Sequence, residues 1–272
     1  MTDRYAVIGN PVAHSRSPEI HAAFSLQTGD DIQYERLLAA TDRFAETLRA
    51  FRDGGASGAN VTVPFKLEAF ALSTECTPRA QGGKSANTLV FNGDKIIGDN
   101  TDGVGLCRDI QQNLSRPLSG ARILLVGAGG AARGVTTALL SCEPQSLVIT
   151  NRTQSKADAF VKAHGAGKPL SAIGLESLST RQFDVVINAT SASLSADMPA
   201  IPATCFADNS LAYEMMYGKG KTPFLTLAAT AGARTADGLG MLVEQAAEAF
   251  FVWRGVRPST GPVIAQLRDI AT

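Results

Sequence analysis

The stretch Ile123-Leu124-Leu125-Val126-Gly127-Ala128-Gly129-Gly130-Ala131-Ala132 joins an apolar run of strand length to a glycine-rich turn. An apolar helix pattern follows it, with Val135, Leu139 and Leu140. A strand, a glycine turn and a helix start place backbone N–H groups around a pyrophosphate, and residues without side chains let the phosphates come close. The stretch therefore predicts a dinucleotide-binding unit, with Ala132 in place of the third glycine.

The next strand-like run, 147–150, ends in Asn151-Arg152-Thr153. Proteins that prefer NAD normally carry an acidic residue at this strand end, where it binds the ribose 2′-hydroxyl. Arg152 stands there instead, and a guanidinium suits a 2′-phosphate. The sequence therefore predicts NADP as the cofactor, with a solvated surface arginine as the alternative interpretation of Arg152.

Strand and helix patterns alternate along the whole chain. In the nucleotide unit, strand-like runs lie at 122–126, 147–150, 184–189, 211–214 and 234–236. Such alternation favours a parallel sheet with helices on both faces. The first hundred residues show strand patterns at 5–8 and 60–64, a helix start at Ser17 and another at Thr41 or Asp42. We therefore predict an α/β fold with two domains, a Rossmann-type NADP-binding domain and an α/β substrate domain, with a cleft between them.

Length and composition limit the class of protein. A chain of 272 residues is slightly too long for one core, so two domains are expected. The 25 basic and 25 acidic residues cancel, which predicts a small-molecule substrate and argues against nucleic acid or a membrane as partner. The four cysteines are scattered without metal-ligand spacing, so no metal site is expected. No apolar run is long enough to span a bilayer, and we predict a cytoplasmic protein.

Two segments offer an acid/base group: 60–66, which ends in Lys66, and 98–103, which contains Asp102. A nicotinamide enzyme that interconverts an alcohol and a ketone needs such a group, because a proton moves at oxygen while hydride moves at carbon. Lys66 follows a strand end, where side chains commonly line a cleft, and its alternative is a solvated surface charge. Asp102 precedes a helix-like stretch at 104–114, so its alternative is a helix N-cap.

The segment from His14 to His21 offers ligand groups rather than a catalytic base. Ser17 precedes a proline and is typical of a helix start, but hydroxyl groups at a helix N-terminus also favour a bound carboxylate, and Ser15 lies close by. His14 and His21 have no metal or triad partner at a recognisable spacing, so we predict structural roles for both.

Several segments together carry a resemblance to a known family. They occur in this order: Gly9-Asn10-Pro11-Val12-Ala13-His14-Ser15-Arg16-Ser17-Pro18, Asn60-Val61-Thr62-Val63-Pro64-Phe65-Lys66, Gly98-Asp99-Asn100-Thr101-Asp102-Gly103, Asn151-Arg152-Thr153, Asn188-Ala189-Thr190-Ser191 and Ala236-Asp237-Gly238-Leu239-Gly240-Met241-Leu242. On these segments the chain resembles the bacterial, NADP-dependent shikimate dehydrogenases nearly from end to end.

The resemblance implies an NADPH-linked, reversible reduction of 3-dehydroshikimate to shikimate, a step in aromatic amino acid biosynthesis, with Lys66 and Asp102 as the catalytic pair. The substrate ligands that it implies are Ser15, Ser17, Thr62, Asn87, Tyr217 and Gln245. The cofactor ligands that it implies are Gly127, Ala128, Gly129, Gly130, Ala131, Asn151, Arg152, Thr153, Lys156, Met215, Gly238 and Met241. It also implies a discontinuous substrate domain of residues 1–103 and 240–272 around an NADP-binding domain of residues 104–239.

One segment and two single positions depart from the family pattern: 84–86, Ser193 and Glu214. None of them removes an implied ligand. Two alternatives stay open, a quinate/shikimate dehydrogenase of broader specificity and a catalytically silent NADP-binding regulator, because fold alone does not establish chemistry. The expected assembly is a monomer or a homodimer.

Overall fold

The computed structural model describes residues 2–164, 169–190, 200–218 and 220–271, with side chains to Asp269. The chain divides into two compact units. The first comprises residues 1–105 and 242–269, and the second comprises residues 106–241 and 270–272. Within the described residues, each unit is built on one six-stranded sheet.

The strands of the first sheet are β1 (Asp3–Gly9), β2 (Ile32–Leu38), β3 (Gly58–Val61), β4 (Glu75–Cys76), β5 (Thr88–Asn92) and β6 (Lys95–Asp99). The strands of the second sheet are β7 (Arg122–Val126), β8 (Ser146–Thr150), β9 (Leu170–Ala172), β10 (Phe183–Asn188), β11 (Phe206–Glu214) and β12 (Arg234–Asp237).

The α-helices are α1 (Ser17–Thr28), α2 (Phe44–Asp53), α3 (Lys66–Leu72), α4 (Pro78–Gly83), α5 (Asp102–Arg108), α6 (Gly130–Ser141), α7 (Gln154–His164), α8 (Pro223–Thr230), α9 (Leu239–Arg254) and α10 (Gly261–Ala271). Short 3-10 turns lie at Leu175–Thr180 and Ala203–Cys205. Among the described helices, none combines the length and apolar character that a bilayer crossing requires.

The second sheet has the strand order β12-β11-β10-β7-β8-β9, and all its neighbouring strands are parallel. Successive side chains of β7 belong to different cores: Ile123 and Leu125 pack into one cluster, Leu124 and Val126 into another. Because side chains alternate across a strand, both faces of this sheet are covered. The predicted parallel sheet with helices on both faces is confirmed.

The first sheet is mixed, in the order β2-β1-β3-β5-β6-β4. β1 pairs in parallel with β2 and β3, whereas β5 is antiparallel to both β3 and β6. Its core contains Ile8, Leu48 and Leu89, with the rings of Phe44 and Phe65 stacked at 4.6 Å. This packing places the ends of β3 and β6, which carry candidate site residues, in neighbouring parts of one unit.

Several predicted boundaries were wrong, among them the start of the strand predicted at 211–214, since β11 already begins at Phe206. α2 begins at Phe44 rather than at Thr41 or Asp42, because the Arg43 N–H bonds to the Ala40 carbonyl and closes a turn first. β3 ends at Val61, short of the predicted 60–64, as the chain turns into α3. The helix pattern at 104–114 is split, since α5 ends at Arg108 and Asp109–Asn113 form a wider π-helical turn.

Candidate active site

Lys66 begins α3 and Asp102 begins α5, and their side chains meet. Lys66 Nζ lies 2.6 Å from Asp102 Oδ2. The lysine side chain is 25% exposed and the aspartate side chain 10%, so the pair is shielded but still reachable by a small molecule. Lys66 is therefore not the freely solvated charge of the alternative interpretation. The structure brings the two predicted catalytic groups together across 36 residues of sequence.

Asn87 holds the second oxygen of the same carboxylate. Its Nδ2 donates to Asp102 Oδ1 at 2.8 Å and also contacts Thr101 Oγ1 at 3.0 Å and Gln245 Oε1 at 3.2 Å. Both oxygens of Asp102 thus accept hydrogen bonds from side chains. The N-cap interpretation does not describe Asp102, since its carboxylate is used by Lys66 and Asn87 instead.

Ser15 and Ser17 lie side by side at the start of α1, with their hydroxyl oxygens 3.1 Å apart. The N-cap residue of α1, Arg16, makes no side-chain cap bond, and the Ser15 hydroxyl accepts from the Ser17 N–H at 3.3 Å. Arg36 donates twice to the Ser15 carbonyl, at 2.6 and 2.8 Å, and fixes the loop before the helix. Two adjacent hydroxyl groups at a helix N-terminus suit a carboxylate.

Thr62 lies directly after β3, and its backbone N–H donates to the Ile8 carbonyl at 2.9 Å. Its methyl group packs onto Gly9, where an added Cβ would come within 2.3 Å of Thr62 Cγ2. Glycine at position 9 is therefore required for this close approach. The structure places the predicted substrate ligands Ser15, Ser17, Thr62, Asn87 and Gln245 in the first unit and Tyr217 in the second, after β11.

Sequence reasoning missed Asn60, which connects the serines to Asn87. Tyr34 donates to Asn60 Oδ1 at 2.7 Å, and Asn60 Nδ2 donates to the Asn87 carbonyl at 3.1 Å. Ser17 in turn hydrogen-bonds the Tyr34 side chain. A polar residue inside the short buried strand β3 is the signal that could have found it, since buried polar side chains are normally hydrogen-bonded.

His21 is fully buried and stacks on Tyr34, with 4.2 Å between ring centroids and 8° between planes. Burial lowers the pKa of His21 from 6.5 to about 3. The imidazole is thus neutral near pH 7. The predicted structural role fits this position better than general base chemistry.

We expect His21 to make stability depend on pH. Below its ordinary pKa of 6.5 the unfolded chain takes up a proton that the folded chain refuses until about pH 3, so stability falls as pH falls through this window. Between pH 7.5 and pH 5 the loss should be about 2 kcal/mol. Urea unfolding at both pH values measures it, and His21→Phe should remove the loss whereas His14→Gln should keep it. An equal pH dependence in wild type and His21→Phe would contradict this assignment.

In the second unit the glycine turn runs from β7 into α6. Gly127 has a φ of +114°, and an added Cβ there would lie 3.2 Å from the Ala189 carbonyl oxygen. Gly129 and Gly130 face open space, with no described atom within 4 Å of an added Cβ. Gly129 caps α6 without a side chain, so the first-turn N–H groups are open to a ligand. This turn fits the pyrophosphate of a dinucleotide.

Asn151, Arg152 and Thr153 follow β8, the strand beside β7. The Gly127 N–H donates to the Thr150 carbonyl at 2.7 Å and joins the two strand ends. Arg152 is exposed, as is Lys156 in the first turn of α7. Two exposed basic residues therefore follow the strand beside the glycine turn, and a guanidinium or ammonium group suits a 2′-phosphate.

Met215, Gly238 and Met241 also come together in this unit. An added Cβ on Gly238 would lie 2.2 Å from the Met215 carbonyl oxygen, so only glycine allows this contact. Met241 packs into the same apolar cluster as Met215. Glu214, one of the departures from the family pattern, accepts from Asn188 Nδ2 at 2.9 Å. The departure at Ser193 lies outside the described residues.

Comparison with known proteins gives the context of this geometry. Residues 7–89 match the family model of the shikimate dehydrogenase substrate binding domain, residues 109–197 that of shikimate / quinate 5-dehydrogenase, and residues 238–268 that of the shikimate 5′-dehydrogenase C-terminal domain. The shikimate dehydrogenase (NADP(+)) of Nitrosospira multiformis is 58% identical over 270 residues, 99% of this chain and 98% of that protein. The chain belongs to the shikimate dehydrogenase family.

Solved structures of related proteins have the same fold as this chain. The crystal structure of an Ael1 enzyme from Pseudomonas putida superposes with a TM-score of 0.93 at 48% identity, covering 98% of each chain. The shikimate 5-dehydrogenase of Thermus thermophilus, solved in complex with NADP(H) and shikimate, superposes with a TM-score of 0.87 at 31% identity, covering 98% of this chain and 99% of that one. The shikimate dehydrogenase fold that the sequence predicted is therefore confirmed.

Proposed function

We propose that the chain is an NADP-dependent shikimate dehydrogenase in which Lys66 and Asp102 form the catalytic pair. The enzyme catalyses the reversible reduction of 3-dehydroshikimate to shikimate in aromatic amino acid biosynthesis. The observation that carries the catalytic assignment is the 2.6 Å contact between Lys66 Nζ and Asp102 Oδ2. It lies among polar side chains in the unit that contains the match to the substrate-binding model.

Substrate binding uses the hydroxyl and amide groups of the first unit. Ser15 and Ser17 bind the carboxylate of the substrate, because their hydroxyl groups are adjacent at the N-terminus of α1. Thr62, Asn87 and Gln245 bind the ring hydroxyls, since alcohols both donate and accept hydrogen bonds. Tyr217 is a further substrate ligand of this proposal.

Lys66 and Asp102 together transfer the proton. Bound NADPH supplies the hydride that reduces the carbonyl carbon. The Lys66 ammonium donates a hydrogen bond to the carbonyl oxygen as negative charge develops, and Asp102 orients this ammonium. Because Lys66 Nζ and Asp102 Oδ2 are in direct hydrogen-bond contact, we treat them as one acid/base dyad and assign the proton transfer to the pair.

The cofactor ligands lie in the second unit. The backbone of Gly127, Ala128, Gly129, Gly130 and Ala131 binds the pyrophosphate, because this turn is open and free of bulky side chains. Arg152 and Lys156, with Asn151 and Thr153, bind the adenosine 2′-phosphate. Met215, Gly238 and Met241 contact the nicotinamide, and their mutual packing supports this role.

Further proposals concern the domains and the setting of the enzyme. Residues 1–103 and 240–272 form the substrate domain, and residues 104–239 form the NADP domain. The enzyme acts in the cytoplasm as a monomer or a homodimer. The four free cysteines support a reducing compartment, where thiols persist.

A spectrophotometric assay tests the proposed function. Purified enzyme is given shikimate or quinate with NADP or NAD, and reduced nicotinamide is measured. We expect the highest kcat/KM with shikimate and NADP. A higher kcat/KM with quinate would make the enzyme a quinate/shikimate dehydrogenase, and no turnover of either acid in a protein that binds NADP would indicate a silent regulator.

A further inference from the structure

We infer that Arg79 is a positioning residue for this reaction, because it hydrogen-bonds both Asp99, at the end of β6, and Glu248, in α9. These two segments hold Asn87, Asp102 and Gln245 in contact. Arg79 lies in α4 and belongs to none of the sequence motifs above. It contacts no proposed substrate ligand and acts through two buried carboxylates. The inference rests on the proposed function, since it concerns the geometry of that catalytic site.

The first carboxylate is that of Asp99, at the end of β6 and 2% exposed. Arg79 Nε donates to Asp99 Oδ1 at 3.0 Å, and Arg79 Nη2 donates to Oδ2 at 2.5 Å. Thr77 Oγ1 donates to the same Oδ1 at 2.6 Å. This is the two-pronged geometry in which a guanidinium fixes the orientation of a carboxylate most firmly.

Asp99 is connected by hydrogen bonds to Asp102, the proposed catalytic aspartate. Its Oδ1 accepts from the Asn100 N–H at 2.7 Å, and Asn100 Oδ1 accepts from the Asp102 N–H at 3.1 Å. The Asp99 carbonyl accepts from the Asn87 N–H at 3.0 Å. The backbone positions of both Asn87 and Asp102 are thus set by contacts that begin at Asp99.

The second carboxylate is that of Glu248 in α9. Arg79 Nη1 donates to Glu248 Oε1 at 2.6 Å, and Arg257 donates to its other oxygen. Glu248 lies three residues after Gln245, on the same side of the helix. Arg79 therefore also sets the position of the turn of α9 from which Gln245 reaches Asn87.

Both carboxylates remain ionised in this buried site. Burial, the largest single influence, raises the pKa of Asp99 and of Glu248. The hydrogen bonds and charges of their partners together outweigh it, with Arg79 and Thr77 acting on Asp99 and Arg79 and Arg257 on Glu248, so both pKa values fall below their usual range. Loss of Arg79 would leave two buried charges short of their partner, so some loss of stability is expected as well. A test of positioning therefore needs a kinetic readout and a control for stability.

Arg254 offers that control within the same unit. It also connects two carboxylates, Asp3 and Asp30, to α9. Arg79→Met should lower kcat/KM for 3-dehydroshikimate at least about tenfold, because small displacements of catalytic groups are costly. KM for NADPH should stay unchanged, since its proposed ligands belong to the other unit. Arg254→Met should leave both constants near wild type. Arg79→Lys keeps the positive charge but loses the paired N–H groups of the guanidinium, and it should recover part of the kcat/KM that Arg79→Met loses.

The outcomes separate the two proposals. Wild-type kcat/KM in folded Arg79→Met, or an equal loss in Arg254→Met, would overturn the positioning role. If Arg79→Met yields no folded protein, Arg79→Lys is measured in the same way, and wild-type kcat/KM there overturns the role. If Lys66→Ala keeps wild-type turnover, the proposed catalytic site itself has failed, whatever Arg79 does.

Discussion

Replacement of Lys66 by alanine should lower kcat for 3-dehydroshikimate reduction by about 10²- to 10⁴-fold, the usual contribution of a positioned acid/base group. KM should change much less, because the ammonium interacts most strongly with the charge that develops on oxygen in the transition state. Asp102 should keep its position in the variant, since Asn87 Nδ2 still holds Oδ1 at 2.8 Å. Steady-state rates at saturating NADPH measure both constants.

Lys95 provides the matched control for this experiment. Its Nζ lies 2.5 Å from Glu75 Oε1 in the same unit, but both side chains are more than half exposed. Lys95→Ala therefore removes a lysine–carboxylate contact of similar length, and kcat should remain at the wild-type value. A Lys66→Ala variant that binds substrate weakly but turns over at the wild-type rate would show that Lys66 only binds.

Replacement of Arg152 by alanine should raise KM for NADPH by about 10- to 100-fold, as expected for the loss of a charge-assisted contact of roughly 1.5–3 kcal/mol. KM for NADH should change little, because NADH has no 2′-phosphate. The ratio of the KM for NADH to the KM for NADPH should therefore fall. The exposed position of Arg152 after β8 makes a large effect on folding unexpected.

Arg122 serves as the matched control for Arg152. It begins β7, at the opposite end of this strand from the glycine turn, and pairs with Asp184 at 2.9 Å. Arg122→Ala should leave the ratio of the NADPH and NADH constants unchanged. The role of Arg152 would be disproved by a variant that still prefers NADPH as strongly as the wild type.

The sequence predicted the second unit well because the signals there are local. The apolar run before Gly127 and the strand-like run 147–150 are contiguous, and each matches an observed strand within one residue. The helix of the glycine turn, α6, begins at Gly130 as such a turn requires. Where a fold depends on strand, turn and helix in immediate succession, the residues themselves carry the information.

The contacts that build the catalytic site are not local, and sequence pattern alone did not predict them. Asn87 and Gln245 are 158 residues apart, and Arg79 and Glu248 are 169 apart. No periodicity connects such pairs, since only the packing of α9 in the first unit brings them together. The residues themselves offered Lys66 and Asp102 as candidates and the resemblance added Asn87 and Gln245, but neither gave a role to Arg79.

The dyad is tested most directly by a double-mutant cycle on kcat, with Lys66→Ala, Asp102→Ala and the double variant, at saturating NADPH and 3-dehydroshikimate. Residues that act as one unit show strongly non-additive losses. We predict that the double variant is at most a few-fold slower than the slower single variant. If the two losses multiply, or if either single variant turns over at the wild-type rate, Lys66 and Asp102 do not act as a catalytic pair.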